Sequence, residues 1–205
     1  MGARGHSATK EKLLDAAQRL MLAKGYEATT VDDICQAAGL TKGSFFHYFD
    51  NKEALGKAAL TRFVCKQAEA FGGAPFLKKR DPLQRVYGFV DCAIQMACHP
   101  DSPASCLVGT LAQELSATHP EIRALCAELF ARSSEGFTRD LEAAKARHAP
   151  GAKFDPAGVA EHFVAVIQGA LILAKAKQDR EVIARHLRHY KQYLKTLFES
   201  ESARR

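Results

Sequence analysis

Apolar positions recur along this chain at the three-to-four residue spacing of amphipathic helices. Leu13, Ala17 and Leu20 form the buried stripe of a helix predicted from about Ala8 to Lys24, with Ser7 as its cap and Gly25 as its stop. Tyr26 is placed to pack back on Met21 across that stop. Val31, Ile34 and Ala38 share one face of a second, short helix. Thr30 caps it, with Asp33 three residues on as a weaker partner than the Glu or Gln of a full capping box, and Gly39 allows a left-handed exit. Thr41 caps a third helix from Lys42 to about Phe49. Its Phe45 and Phe49 lie one turn apart and point inward, leaving Lys42, Gly43, Phe46 and His47 outside. Asp50 and Glu53 open a fourth helix through Leu55, Ala59 and Phe63 to about Ala70, which Gly72-Gly73-Ala74-Pro75 then breaks.

Beyond that break each boundary carries helix punctuation and nothing reads as a strand. Asp81-Pro82 starts a helix to about Cys98. A loop follows at 99–103. Ser105 caps a helix through Cys106, Leu107, Leu111 and Leu115, and 118–121 opens one to about Arg147 that buries Ile122, Leu125, Leu129 and Phe137. Asp155-Pro156 starts a helix to Lys177, and Asp179 the last, to about Phe198. The fold class expected is all-α, with four helices before the break and five after it. Residues 1–52 form a small N-terminal domain, 53–73 a connecting helix, and 74–205 a C-terminal domain.

The helix at 156–177 is apolar almost all round, with Val159, Phe163, Val164, Val166, Ile167, Ala170, Leu171, Ile172 and Leu173, so it must be covered on every side. Together with Val182, Leu187, Tyr190, Leu194 and Leu197 on its successor it reads as a dimer surface of four helices across a two-fold axis. The alternative is a buried core helix of a monomer.

Composition adds little to the fold and something to the partner. Hydrophobic residues at 47% and charged residues at 25% describe an ordinary globular chain of 205 residues. A formal charge of +6 favours an anionic partner, and between Thr41 and Lys66 five cations (Lys42, Lys52, Lys57, Arg62, Lys66) face Asp50 and Glu53 alone. No apolar run approaches the ~18–20 residues of a membrane span, and the first residues lack the apolar core of a secretion signal, so a cytoplasmic protein is expected. Arg4, in a short basic arm before Ser7, is within reach of a minor groove. The six cysteines (35, 65, 92, 98, 106, 126) contain no C-x-x-C pair and are expected to be free thiols. His99, His119 and His148 share no metal spacing, so neither a metal nor a cofactor is expected.

A short helix held by two inward phenylalanines, presenting a cation, a glycine, a ring and an imidazole, suits the DNA major groove. Lys52, at the start of the next helix, can join helix amides on a phosphate. Here the residues resemble a known family. The run Gly25 to Val31, then Ile34, Ala37 to Leu40, Lys42 to Phe49 and Lys52 to Leu55 is similar to the TetR family of bacterial transcriptional regulators. The resemblance implies a homodimeric repressor in which Thr30, Thr41, Lys42, Gly43, Ser44, Phe46, His47, Tyr48 and Lys52 contact a palindromic double-stranded DNA operator. It also implies dimerisation through the last two helices and a small-molecule effector in the C-terminal domain. Phe46 stands where the family often has tyrosine, which removes a hydroxyl donor but leaves a ring for a thymine methyl.

Cys106, read at the first position of a helix, is where backbone amides favour a thiolate; the bland alternative is a small buried hydrophobe. Ser105-Cys106-Leu107, Gln113-Glu114-Leu115, Gly169-Ala170-Leu171 and Ala174 to Lys177 resemble the branch of TetR repressors that senses electrophiles and α,β-unsaturated carbonyl compounds. That resemblance implies Cys106 as the reactive thiol and Lys175 as its amine partner, able to close a sulfur–nitrogen bond after oxidation. Unaided, Lys175 is a cation stabilising the last turn of its helix. Two rival readings remain: a repressor induced reversibly by a hydrophobic ligand in a helical pocket, and a thiol enzyme using Cys106. The second lacks a cysteine with a convincing histidine partner nearby in the sequence.

Overall fold

The computed structural model describes residues 2–99 and 105–202, with side chains for 8–99 and 105–199. Among these residues there is no strand. The helices are α1 (Gly2–Lys24), α2 (Val31–Ala38), α3 (Lys42–Tyr48), α4 (Lys52–Gly72), α5 (Pro82–Cys98), α6 (Leu107–Leu115), α7 (Pro120–His148), α8 (Pro156–Lys177) and α9 (Glu181–Ser202), with a 3-10 turn at Pro75–Lys78. The chain forms two compact units. One comprises Met1–Lys66 with Cys106–Leu129, the other Gln67–Ser105 with Phe130–Arg205.

Three helix starts differ from the sequence expectation. α1 begins at Gly2, so Ser7 lies inside it and the basic arm is helical in its backbone; the Arg4 side chain is outside the described residues. α4 begins at Lys52, capped by Asn51, whose side-chain oxygen accepts from the Ala54 amide at 2.8 Å. Asp50 stands one residue too early to reach that amide. α6 begins at Leu107, which makes Cys106 its N-cap residue rather than its first helical one. The loop expected at 99–103 falls, apart from His99, outside the described residues.

In the first unit Leu13, Ala17 and Met21 of α1, Ile34 of α2, Phe45 of α3 with Phe49 just after it, and Leu55, Ala59 and Leu60 of α4 are buried. α6 and the start of α7 add Leu107, Leu111, Leu115 and Ile122. Gly25 ends α1 at φ +87, a left-handed conformation that costs a residue with a Cβ about 1–2 kcal/mol. A Cβ there would also stand 3.0 Å from the Glu114 carboxylate. Gly25→Ala is therefore expected to destabilise the protein by at least that amount, read as a lowered urea midpoint with an unchanged m-value.

In the second unit Val86 and Val90 of α5, Phe137 and Leu141 of α7, Val159 and Phe163 of α8, and Leu187 and Leu194 of α9 form one core. Phe89 stacks on Phe137 at 4.3 Å between centroids, and the Tyr190 hydroxyl donates to the Val159 carbonyl at 2.7 Å. This corrects one expectation: Val182, Leu187, Tyr190 and Leu194 serve the protomer's own core and are not surface residues. On α8 and α9 the large apolar side chains left outside are Ile172 at 51%, Leu173 at 40% and Tyr193 at 39% exposure. A second correction concerns α8, which is long and apolar enough to cross a membrane; only 28% of its most apolar window is buried within the chain. The search for an apolar run passed over it because Glu161, His162 and Gln168 interrupt the run, while the helix as a whole stays apolar.

Candidate nucleic-acid interface and sensing residues

The local sequence builds α2 and α3 from their caps. Thr30 Oγ1 accepts from the Asp33 amide at 3.1 Å, and the Thr30 amide donates to Asp33 Oδ2 at 2.9 Å, a complete capping box. Lys24 donates to the same carboxylate at 2.7 Å, and this contact, followed by the Thr30 bonds, holds the Asp33 carboxyl well below the usual range. Gly39 turns left-handed at φ +65 and closes α2. Thr41 Oγ1 accepts from the Ser44 amide at 3.2 Å and lies 3.1 Å from Ser44 Oγ, which fixes the first turn of α3.

Phe45 is fully buried, and its ring meets Phe49 at 5.9 Å and Phe46 edge-on at 5.2 Å. With α3 anchored this way, Lys42, Gly43, Phe46 and His47 are exposed, Phe46 at 56%, while Ser44 and Tyr48 are half-buried. The His47 ring packs edge-on against Tyr48 at 4.8 Å. A Cβ on Gly43 would meet only Thr41 Oγ1, at 3.6 Å, so nothing inside the protein requires a glycine there.

The cationic surplus of this stretch is largely cancelled in three dimensions. Lys42 pairs with Asp32 at 2.8 Å, Lys57 with Glu53 and Glu121, Arg62 with Glu11 and Asp15 at 2.6 Å each, and Lys66 with Asp15 at 3.7 Å. Lys52, expected on a phosphate, donates instead to the Tyr26 carbonyl at 3.0 Å and lies 4.2 Å from the centre of the Tyr26 ring. Apart from Glu53, the partner carboxylates come from α1, α2 and α7, which a window count along the chain does not see. Removing the Asp32 carboxylate returns the Lys42 cation to the exposed side of α3. Asp32→Asn is accordingly expected to raise DNA affinity by up to about fivefold and to steepen its salt dependence, measured by anisotropy titration at two salt concentrations.

Cys106 is half-buried, with extended backbone angles of −113 and 122, and its thiol makes no capping hydrogen bond to the α6 amides. The contact between the thiol and the α6 amides, expected for a cysteine at the first helical position, is not formed here. Cys126, in the same unit, is buried, and burial followed by the neighbouring Cys106 sulfur pushes its thiol up to about 11. Burial likewise raises Cys35 and Cys92. Lys175 is exposed in the last turn of α8, where its carbonyl accepts from the Gln178 side-chain amide at 2.8 Å. Cys106 belongs to the first unit and Lys175 to the second. No group of three potential metal ligands occurs among the described residues. An open groove of about 430 Å³ in the second unit is lined by Asp91, Ile94, Gln95, Arg188, Lys191, Gln192 and Lys195, a polar wall rather than an apolar pocket.

Glu114 is the residue that sequence reasoning passed over. Its two carboxylate oxygens accept from the amides of Tyr26 and Glu27, each at 2.8 Å, across 88 and 87 residues of chain.

Residues 13–59 match the profile of bacterial regulatory proteins of the tetR family, and residues 82–190 that of a tetracyclin repressor-like C-terminal domain. The chain is 30% identical over 174 residues to the transcriptional regulator AcuR of Cereibacter sphaeroides, covering 85% of this chain and 80% of that one. It superposes on the crystal structure of a regulatory protein TetR from Rhodobacter sphaeroides with a TM-score of 0.73 at 30% identity, over 89% of this chain and 96% of the other. The reduced form of Escherichia coli NemR gives 0.73 at 25% identity, over 90% and 96%.

Proposed function

We propose that this chain, which belongs to the TetR family of bacterial regulatory proteins, acts as a cytoplasmic, homodimeric repressor released from a palindromic operator by electrophiles that modify Cys106. It is a DNA-binding transcriptional regulator, as its relatives are, and we assign it no catalytic step. The observation that carries the DNA reading is α3 itself, with Phe45 and Phe49 buried beneath exposed Lys42, Gly43, Phe46 and His47. Thr30, Thr41, Ser44 and Tyr48 would complete the contact to phosphates and sugar around it, while Lys52 braces the turn before α2 from within the protein. Functionally, residues 1–52 read DNA, 53–73 connect, and 74–205 sense and dimerise, although the two packing units cut across that division.

Dimerisation through α8 and α9 is supported by the exposed Ile172, Leu173 and Tyr193 and by an α8 whose most apolar window is only 28% buried within the chain. Covering that face by a second copy explains a helix apolar enough for a membrane in a family of soluble DNA-binding proteins.

Sensing at Cys106 is supported by its partial exposure beside a buried, inert Cys126 and by the similarity to NemR, one structure of which is of a reduced form. In the reaction the Cys106 thiol loses its proton to water and Sγ bonds to the β-carbon of an α,β-unsaturated carbonyl. The double-bond pair moves to the carbonyl oxygen, and the enolate takes a proton from water.

DNase footprinting on the chain's own upstream DNA tests this reading. Two symmetric protected half-sites about 10 base pairs apart centre to centre, or a multiple of that, are expected, and they should fade after treatment with an unsaturated aldehyde. Protection without two-fold symmetry would refute the dimer.

A further inference from the structure

We infer that Glu114 is a positioning residue for operator binding: from α6 its carboxylate holds the turn between α1 and α2 and thereby sets how the α2–α3 pair is presented. The inference rests on the reading of α3 as the DNA-contacting helix.

The turn is short and densely tied. The Gly25 carbonyl accepts from Thr29 Oγ1 at 2.6 Å, and the Tyr26 carbonyl accepts both from the Thr29 amide and from Lys52 Nζ at 3.0 Å. This leaves the amides of Tyr26 and Glu27 to be satisfied, and Glu114 takes both, one oxygen to each. Gly25 makes room for it, since a Cβ would press on both carboxylate oxygens at 3.0 and 3.1 Å. His119, just beyond α6, packs edge-on against the Tyr26 ring at 5.6 Å, and Glu121 pairs with Lys57 of α4. Thr30, which ends the turn, is the cap of α2.

A carboxylate bonded to two amides is a charge-assisted and geometrically strict contact. It comes from a helix whose other end is capped by Cys106, eight residues and about 12 Å away along a rigid rod. Movement of the Cys106 end therefore arrives at Glu114, and through it at the start of α2. No window of sequence around Glu114 marks it for this role; the 88-residue separation does.

The charge sets up a clean test. Removing a carboxylate from a DNA-binding unit strengthens binding by electrostatics alone. Loss of the clamp weakens it. Operator affinity is to be measured for the wild-type protein, Glu114→Gln and Glu114→Ala, at a temperature where circular dichroism shows all three folded. E114A is expected to bind about tenfold to a hundredfold more weakly. E114Q, which keeps one acceptor, should fall between, and the slope of log affinity against log salt should be unchanged because no phosphate contact is lost. Equal or tighter operator binding by folded E114A overturns the inference, as would a lowered melting temperature with full affinity. Once Cys106 is alkylated, E114A should lose little further affinity; an equal additional loss in wild type and E114A overturns the route through α6. A wild-type protein that does not prefer operator to scrambled duplex overturns the DNA assignment itself, and this inference with it.

Discussion

Cys106→Ser is expected to keep operator affinity within about threefold of wild type and to abolish release by an α,β-unsaturated aldehyde, a response expected at about tenfold to a hundredfold in the wild-type protein. Serine preserves the volume and the half-buried N-cap position of α6 but is a far weaker nucleophile toward a β-carbon. The remaining cysteines offer little substitute. Cys35 and Cys126 are buried with raised thiols, and Cys92 is raised as well. Cys65 is exposed and will react, but it lies on the outer side of α4, where an adduct disturbs no core packing. Intact mass of the treated protein, together with operator titration, separates adduct at Cys65 from release through Cys106. If C106S is released as readily as wild type, sensing is reversible binding of a ligand elsewhere in the helical domain.

Ile172→Asp should have the largest effect on assembly. Ile172 is the most exposed large aliphatic side chain of α8, adjacent to exposed Leu173. A carboxylate buried at a two-fold axis meets its own copy, so the substitution acts twice in one interface. Light scattering should find mass near 22.4 kDa in place of twice that value. Because linking two half-site readers raises avidity by about 10² to 10⁴, operator affinity should fall by at least about a hundredfold, with the helical content retained. A monomer that binds operator as tightly as wild type would mean that one protomer reads the whole site.

What could be read from the sequence was local. The Thr30–Asp33 capping box, the left-handed Gly39, the Thr41 cap and the inward pair Phe45 and Phe49 are each decided within four residues, and the structure has all of them. The all-helical fold follows from the same local periodicity. What could not be read depends on elements far apart in the chain. Lys52 turns onto Tyr26, 26 residues back, and Arg62 onto Glu11 and Asp15, so a cationic run in sequence is not a cationic surface in space. Glu114 reaches the Tyr26 and Glu27 amides from α6, which packs in the same unit as the DNA-reading helices although the chain leaves that unit at Lys66 and re-enters it at Cys106. On α9 the apolar period was visible, but which side of it faces the core and which faces outward is set by α5 and α8.

The central claim is that α3 reads DNA. Anisotropy titration of the chain's own upstream duplex against a scrambled duplex, for wild type and for a variant with Lys42, Phe46 and His47 all replaced by alanine, tests it most directly. The expected result is a wild-type preference of about a thousandfold or more for the upstream duplex, lost in the triple variant while its weaker, salt-dependent binding to any duplex persists. Unchanged preference in the triple variant would contradict the account.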